Sequence, residues 1–134
     1  MLFNTDWLGV ERALDGLSMR FQATAHNLAN IHTPGYQRQL VNFEDSLKEA
    51  IALAQPTVNP EAPLDVASPD PTEFLDAWFP SVTRSEKGPQ RIDGNGSSLE
   101  QEMGEISKTA LKFNLLSTWV ASEYRNLKFV IDAR

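Results

Sequence analysis

The sequence predicts an all-α fold in which two long terminal helices pack as an antiparallel, coiled-coil-like hairpin. A short helix follows the first turn, and the middle of the chain is irregular and proline-rich. Three observations predict this arrangement. Apolar residues recur in steps of three and four near both ends, a spacing that places side chains on one face of a helix. Seven of the eight prolines lie between positions 56 and 89, and proline interrupts helices and sheet ladders. A Thr-Pro-Gly-Tyr sequence, typical of a turn, ends the first periodic segment.

The first helix is predicted over residues 7–31, with Thr5 or Asp6 as its N-cap. Proline at position 34 disfavours the α conformation at the residue before it, so the helix is expected to end near position 31. Gly35 then supplies the positive φ angle that a type II turn requires. The apolar face of this helix consists of Trp7, Val10, Leu14, Leu17, Phe21, Thr24, Leu28 and Ile31.

Two further helices are predicted, a short one over residues 43–53 and a long one that begins near Leu99. Ser97 with Glu100, or Ser98 with Gln101, predicts a capping box at the start of the long helix. Its apolar face consists of Leu99, Met103, Ile106, Ala110, Phe113, Ser117, Val120, Tyr124, Leu127 and Ile131. A second apolar row consists of Leu111, Leu115, Leu116 and Trp119. Since one partner helix cannot cover both rows, we expect the long helix to contact other subunits.

Composition therefore divides the chain into a helical core of residues 1–54 and 97–134 and an extended, proline-rich insert of residues 55–96. Within the insert, the aromatic residues Phe74, Trp78 and Phe79 are costly to leave in water. We expect this patch to dock on a helix or on a partner protein.

Charge and composition argue against several functions. A net charge of −6 argues against nucleic acid as a partner, because binding to phosphates requires a basic patch. The chain contains no cysteine, so it has no disulfides and no thiol nucleophile. His26 and His32 lie six positions apart, which does not suit a shared metal ion. The acidic residues Glu100, Glu102 and Glu105 are interpreted as solvated groups at a helix N-terminus. We therefore expect no enzyme, no cofactor, no metal and no small-molecule substrate.

The helix end and the turn also carry a family resemblance. Residues 27–36 read Asn-Leu-Ala-Asn-Ile-His-Thr-Pro-Gly-Tyr, and this string resembles a signature of the bacterial flagellar rod, hook and hook-associated proteins. The matching positions are Asn27, Ala29, Asn30, Thr33, Pro34, Gly35 and Tyr36. Residues 93–95, 99–103, 110–113 and 126–131 are similar to the short proximal-rod members of the basal-body rod family. The resemblance covers residues 10–54 and 91–131 and does not extend over 55–90.

The resemblance implies a structural subunit of the flagellar basal-body rod in the periplasm, exported by the flagellar type III route without a cleaved signal peptide. It implies that the terminal helices polymerise into a hollow tube that transmits torque and conducts export substrates. Implied partners are other copies, other rod proteins, the inner-membrane ring and the export gate. Subunit contacts are expected along an assembly seam of Val10, Leu14, Leu17, Phe21, Leu28, Ile31, Met103, Ile106, Phe113, Val120, Tyr124, Leu127 and Ile131.

Two other interpretations remain open from the sequence. The chain could be a different axial protein of the flagellum. Trp7-Leu8-Gly9 also allows a secreted helical hairpin of the Trp-x-Gly type. In such hairpins, however, the motif occupies the turn between two helices, whereas here it precedes the body of the first helix.

Overall fold

A computed structural model describes residues 2–54, 72–84 and 98–132 of the chain. Most of these residues are helical, with one long helix at each end, so the predicted all-α class is confirmed. The elements in chain order are α1 (Leu2–Ala29), β1 (Gln39–Leu40), α2 (Glu44–Ala54), α3 (Glu73–Asp76), β2 (Thr83–Arg84) and α4 (Leu99–Asp132). None of the helices in these ranges is long and apolar enough to cross a membrane.

The two long helices run antiparallel. Near the start of α1, the ring of Trp7 lies 6.5 Å from the ring of Trp119 in the second half of α4. Near the end of α1, the side-chain amide of Asn27 donates to the carboxylate of Glu102 at the start of α4 (3.1 Å). Residue numbers therefore rise along α1 as they fall along the neighbouring α4, which is the predicted hairpin.

Apart from the start of α1, the helix boundaries lie within two residues of the predicted ones. α4 begins at Leu99 as expected, where the backbone amide of Gln101 donates to the hydroxyl of Ser98 (3.2 Å) and forms one half of the predicted capping box. The alternative cap, Ser97, lies outside the described residues. α1 begins at Leu2, so the expected N-cap at Thr5 or Asp6 is wrong, and both residues lie inside the helix.

The predicted turn after α1 is present. The amide of Tyr36 donates to the carbonyl oxygen of Thr33 (3.2 Å), and Gly35 has a φ of 73°, as a type II turn requires. A Cβ atom at Gly35 would have no neighbour within 4 Å. Glycine is therefore needed here for its backbone conformation and not for lack of space.

The apolar core lies where α1, α2 and α3 meet. Its fully buried members are Leu17, Ala23, Val41, Phe43, Leu47, Ala50, Ala54 and Leu75. α4 contributes no apolar residue to this set and contacts it through the half-buried Phe113 and Leu116. The long C-terminal helix therefore lies on a core that is built mainly by the first half of the chain.

Part of the proline-rich insert packs on this core. Leu75 in α3 is fully buried, and its carbonyl oxygen accepts a hydrogen bond from Nε of Arg12 (2.9 Å). Trp78 lies edge-on to Phe43 with 6.3 Å between ring centroids. The aromatic patch was expected to dock either on a helix or on a partner protein, and Trp78 docks on the core of its own chain. Phe79 remains 72% exposed. β2 pairs antiparallel with β1, which joins the insert to the segment after the turn.

Gly16 marks a close approach between α1 and the core. A Cβ atom at this position would lie 2.6 Å from ring atoms of Phe43. We expect Gly16→Ala to lower the free energy of unfolding by about 1 kcal/mol, because overpacking costs about 1–3 kcal/mol while alanine gains about 1 kcal/mol of helix propensity. Urea titration followed by circular dichroism measures this change.

Gly104→Ala is the control, since nothing lies within 4 Å of its Cβ position. The control should gain stability, and an equal gain in both variants would contradict the prediction.

Candidate functional site

The side chain of Asn27, the first residue of the turn motif, is 1% exposed and contacts Tyr36, the last residue of the motif. Its Nδ2 donates to the carbonyl oxygen of Gln39 (2.8 Å) and to Oε2 of Glu102 (3.1 Å). Its Oδ1 accepts from the amide of Gln39 (2.8 Å) and from the hydroxyl of Tyr36 (3.2 Å). All four hydrogen-bonding positions of the amide are occupied. Asn27 therefore fixes the segment after the turn and the start of α4 against the end of α1.

Glu102 is the buried charge at this corner. Its side chain is 0% exposed, and Oε1 accepts a hydrogen bond from Nε of Arg38 (2.5 Å). The interpretation of Glu102 as a solvated helix-end residue is therefore wrong. A buried carboxylate is tolerated only when it is paired and hydrogen-bonded, and Arg38 and Asn27 provide both conditions. We call Asn27, Tyr36, Arg38, Gln39 and Glu102 the corner network.

Arg38 was missed by sequence reasoning because it lies in a polar stretch without periodicity. The burial of Glu102 has a counterpart in the sequence, namely its position in a heptad series of α4. Buried and half-buried residues of α4 recur at heptad spacing, namely Glu102, Ile106, Thr109, Phe113, Leu116 and Val120. This heptad face is rotated by one residue from the predicted one over part of its length, and it includes an acidic residue that an apolar pattern omits.

The remaining motif residues shape the end of α1. Asn30 donates through Nδ2 to the carbonyl oxygen of His26 (2.9 Å) and accepts at Oδ1 from the hydroxyl of Thr33 (3.3 Å). It thereby satisfies a helix-end carbonyl group. Pro34 is exposed in the turn, and Ala29 is exposed at the last position of α1.

Burial raises the pKa of the Tyr36 hydroxyl above its ordinary value, with the nearby carboxylate of Glu102 adding to the effect and Arg84 opposing it. The hydroxyl therefore stays protonated near neutral pH and remains a donor to Asn27.

A second polar cluster joins three helices at Glu44, the first residue of α2. Arg20 of α1 binds this carboxylate through both terminal nitrogens (2.7 and 2.5 Å), and Nζ of Lys112 in α4 lies 3.0 Å from Oε1. The Arg20 guanidinium also donates to the carbonyl oxygen of Val41 and lies 4.7 Å from the ring centroid of Phe43. The hydrogen bond from Arg20 is the main cause that lowers the pKa of Glu44 from 4.5 to about 2, against the opposing effect of burial.

This shift predicts a pH-dependent contribution to stability. Because the folded-state pKa of Glu44 is below its unfolded value, the contribution is complete above pH 4.5 and is lost as the pH falls toward 2. We expect Glu44→Gln to be less stable than the wild type at pH 7, with the difference in free energy of unfolding shrinking between pH 5 and pH 2.

Urea titrations at several pH values measure this difference. Glu105→Gln is the control, because it removes only a surface pair with Lys108 that contributes little. A difference between wild type and Glu44→Gln that stays constant down to pH 2 would count against the assignment.

The assembly seam divides into a covered and an uncovered part. On α1, Leu17 is buried, and the other seam residues are half-buried: Val10, Leu14, Phe21 and Leu28, with Ile31 just beyond the helix. On α4, Ile106, Phe113 and Val120 are half-buried, and Phe113 lies 6.4 Å from Phe21 of α1 between ring centroids. The remaining seam residues are exposed, namely Met103 (56%), Tyr124 (66%), Leu127 (51%) and Ile131 (73%). The uncovered part therefore lies mainly at the C-terminal end of α4.

Both histidines are exposed. Within residues 2–54, 72–84 and 98–132, no group of three His, Cys, Asp or Glu side chains is placed to hold a metal ion.

Trp7-Leu8-Gly9 lies inside α1 and not in a turn between helices, so its position does not favour the Trp-x-Gly interpretation.

Comparison with known proteins agrees with the resemblance. No family model matches the chain. The chain is 26% identical over 131 residues to the flagellar basal body rod protein FlgB of Borrelia hermsii, with 90% of each chain covered. It is 24% identical to the FlgB of Buchnera aphidicola, with 90% of each chain covered. It is also 24% identical to the FlgB of Salmonella typhimurium, with 91% of this chain and 89% of the relative covered.

Near-complete coverage of relatives from several species supports a place for the chain among the flagellar basal-body rod proteins, and with it a structural role in the rod. Within that class, all four relatives bear the same name and support the FlgB family. The resemblance inferred from the turn motif and from the C-terminal helix is thereby confirmed.

Proposed function

We propose that the chain polymerises through its terminal helices into the proximal part of a hollow axial rod, which transmits torque and conducts export substrates. The observation that carries this proposal is the exposed apolar surface of α4. The large apolar residues of α4 that are at least 40% exposed are Leu99, Met103, Leu111, Leu115, Trp119, Tyr124, Leu127, Phe129, Val130 and Ile131.

A surface of this kind favours assembly over a free monomer. Contiguous apolar patches larger than a few hundred Å² are rare on monomeric proteins and usually mark interaction sites. Full burial of one large apolar side chain contributes about 1.5–3 kcal/mol, so covering several of these residues on neighbouring subunits would strongly favour a polymer. The fully buried apolar core of the described residues is small by comparison and includes three alanines.

The corner network also supports the proposal, because it fixes the direction of the chain between α1 and α4. It holds the chain at a fixed angle as it leaves α1, through the four hydrogen bonds of Asn27. A subunit in a tube wall must present its helices in one orientation to all neighbours. The corner network thus holds the two helices in one orientation, and the seam residues provide the contacts between subunits.

Location and partners are proposed on the same basis. The subunit would lie in the periplasmic basal body, after export by the flagellar type III route. Its neighbours would be other copies, other rod proteins, the inner-membrane ring and the export gate. Neither nucleic acid nor a small-molecule substrate has a role in this proposal.

Electron microscopy of basal bodies from a deletion strain tests the proposal. We expect basal bodies without a rod, and recovery of the rod when the wild-type gene is returned. Intact flagella in the deletion strain would contradict the proposal, and a strain complemented with the wild-type gene controls for effects on neighbouring genes.

A further inference from the structure

A short segment of the insert, residues 72–79, packs on both α1 and α2, and we call it the strap. It consists of the single helical turn α3 and the residues on either side of it, including Trp78 and Phe79. Leu75 is its one fully buried side chain, and most of its other side chains are exposed. Segments that bury so few apolar side chains open at a lower free energy than the rest of a protein.

Arg12 of α1 fastens the middle of the strap. Its Nε donates to the carbonyl oxygen of Leu75 (2.9 Å), and its Nη2 lies 3.5 Å from the carbonyl oxygen and 3.4 Å from Oδ1 of Asp76. The guanidinium also lies 5.5 Å from the ring centroid of Phe79, which is within the range of a cation–π contact. Asp15, one turn further along α1, binds the other terminal nitrogen (3.4 Å) and orients the group. One side chain, 16% exposed, thus contacts three residues of the strap.

Trp78 makes the second attachment of the strap. Its ring lies edge-on to Phe43, and its Nε1 donates to Oγ of Ser46 in α2 (3.2 Å) in an exposed position. Phe43 itself is 3% exposed, so lifting the strap would uncover an apolar surface of the α1–α2 pair. It would break none of the hydrogen bonds of the corner network, because no residue of the strap takes part in them.

We propose that the strap opens and closes as a unit while α1, α2 and α4 stay folded, with Arg12 as the latch that holds it closed. The closed state buries Leu75 and covers Phe43. The open state exposes a site for one helical turn with apolar residues three positions apart, as Leu75 and Trp78 are. Neither the strap nor Arg12 belongs to the assembly seam, so this inference does not depend on the proposed rod.

Thiol labelling of the full chain tests the opening, because the natural chain has no cysteine. Leu75→Cys places one thiol under the strap. Leu17→Cys is the matched control, since it makes the same change at a residue of α1 that is 2% exposed. Each variant reacts with a water-soluble disulfide reagent at several urea concentrations below the unfolding transition.

We expect Leu75→Cys to react about tenfold faster than Leu17→Cys, or more, in the absence of urea. The rate for Leu75→Cys should change little with urea, because opening of the strap exposes little surface, whereas the rate for Leu17→Cys should rise steeply. Equal rates with equal urea dependence would show that the strap opens only when the whole chain unfolds, and would overturn the proposal.

Arg12→Met, added to Leu75→Cys, tests the latch, because methionine keeps an apolar stem and removes the donors. We expect labelling to become about tenfold faster, since the lost contacts hold only the closed state. Arg125→Met is the control, because Arg125 donates to the carbonyl oxygen of Ala121 within α4, and it should leave the rate unchanged. An unchanged rate with Arg12→Met would overturn the role of Arg12.

Hydrogen exchange of the wild-type chain is a second measurement in case a cysteine variant folds poorly. The amide of Ala77 donates to the carbonyl oxygen of Glu73 (3.0 Å) and reports on α3. We expect its exchange to be insensitive to low urea and to be accelerated by Arg12→Met, while amides in the middle of α1 exchange through global unfolding. The same urea dependence for both groups of amides would contradict a separate opening.

Discussion

Replacing Arg38 with alanine is expected to lower the free energy of unfolding by about 3–5 kcal/mol, the cost of leaving a buried charge without its partner. Glu102 is fully buried, and Nε of Arg38 lies 2.5 Å from its carboxylate. Without the guanidinium, Asn27 provides the only remaining hydrogen bond to this carboxylate among those identified in the described residues. An amide cannot compensate a full negative charge.

Urea or thermal denaturation followed by circular dichroism measures this loss. Lys108→Ala is the control, because it removes an ion pair whose lysine side chain is 73% exposed, and such pairs contribute about 0–1 kcal/mol. The double variant Arg38→Ala/Glu102→Gln should recover part of the stability, since it removes the unpaired charge. An equal loss of unfolding free energy in Arg38→Ala and Lys108→Ala would contradict the assignment of Arg38 and Glu102 as a buried, stabilising ion pair.

Placing a charge at Leu127, in the exposed part of the assembly seam, is expected to abolish assembly without unfolding the chain. Leu127 is 51% exposed, so Leu127→Glu leaves the fold of the single chain close to that of the wild type. In an assembled rod, the same carboxylate would be buried in an apolar contact, and an unpaired buried charge is strongly unfavourable. We expect cells with only this variant to be non-motile and to have basal bodies without the protein.

Motility assays and immunoblots of isolated basal bodies measure these effects. Ser107→Glu is the matched control, because it adds the same charge to an exposed polar position of α4. The circular dichroism spectrum of each purified variant establishes that folding is preserved. Normal motility with Leu127→Glu would contradict a role for this end of α4 in subunit contacts.

Patterns local in sequence predicted the helices and the turn well. The apolar period of α4 runs without a break from Leu99, and the helix in the structure begins at that residue and ends at Asp132. Thr33 to Tyr36 formed the expected turn because the backbone preferences of proline and glycine act over a few residues. The predicted start of α1 is too late, because Thr5 and Asp6 are residue types that often cap helices but lie inside this one.

Contacts between distant residues could not be predicted in the same way. Acidic residues near a helix N-terminus are usually solvated, and nothing in the sequence near Glu102 indicates Arg38, which is 64 residues away. Leu75 and Trp78 pack on the core. The sequence predicted only that the aromatic patch around them docks on some surface. The shape of the core determines which surface the patch covers. It also determines which residues of the patch remain exposed.

The corner network also orders events during folding. Asn27 and Glu102 are separated by 75 residues, so the end of α1 acquires its full set of partners only after most of the chain is available. Contacts between such distant positions make folding slow, because a long loop must close before any of them forms. The corner is therefore complete only once the first and last helices of the chain have both formed and met.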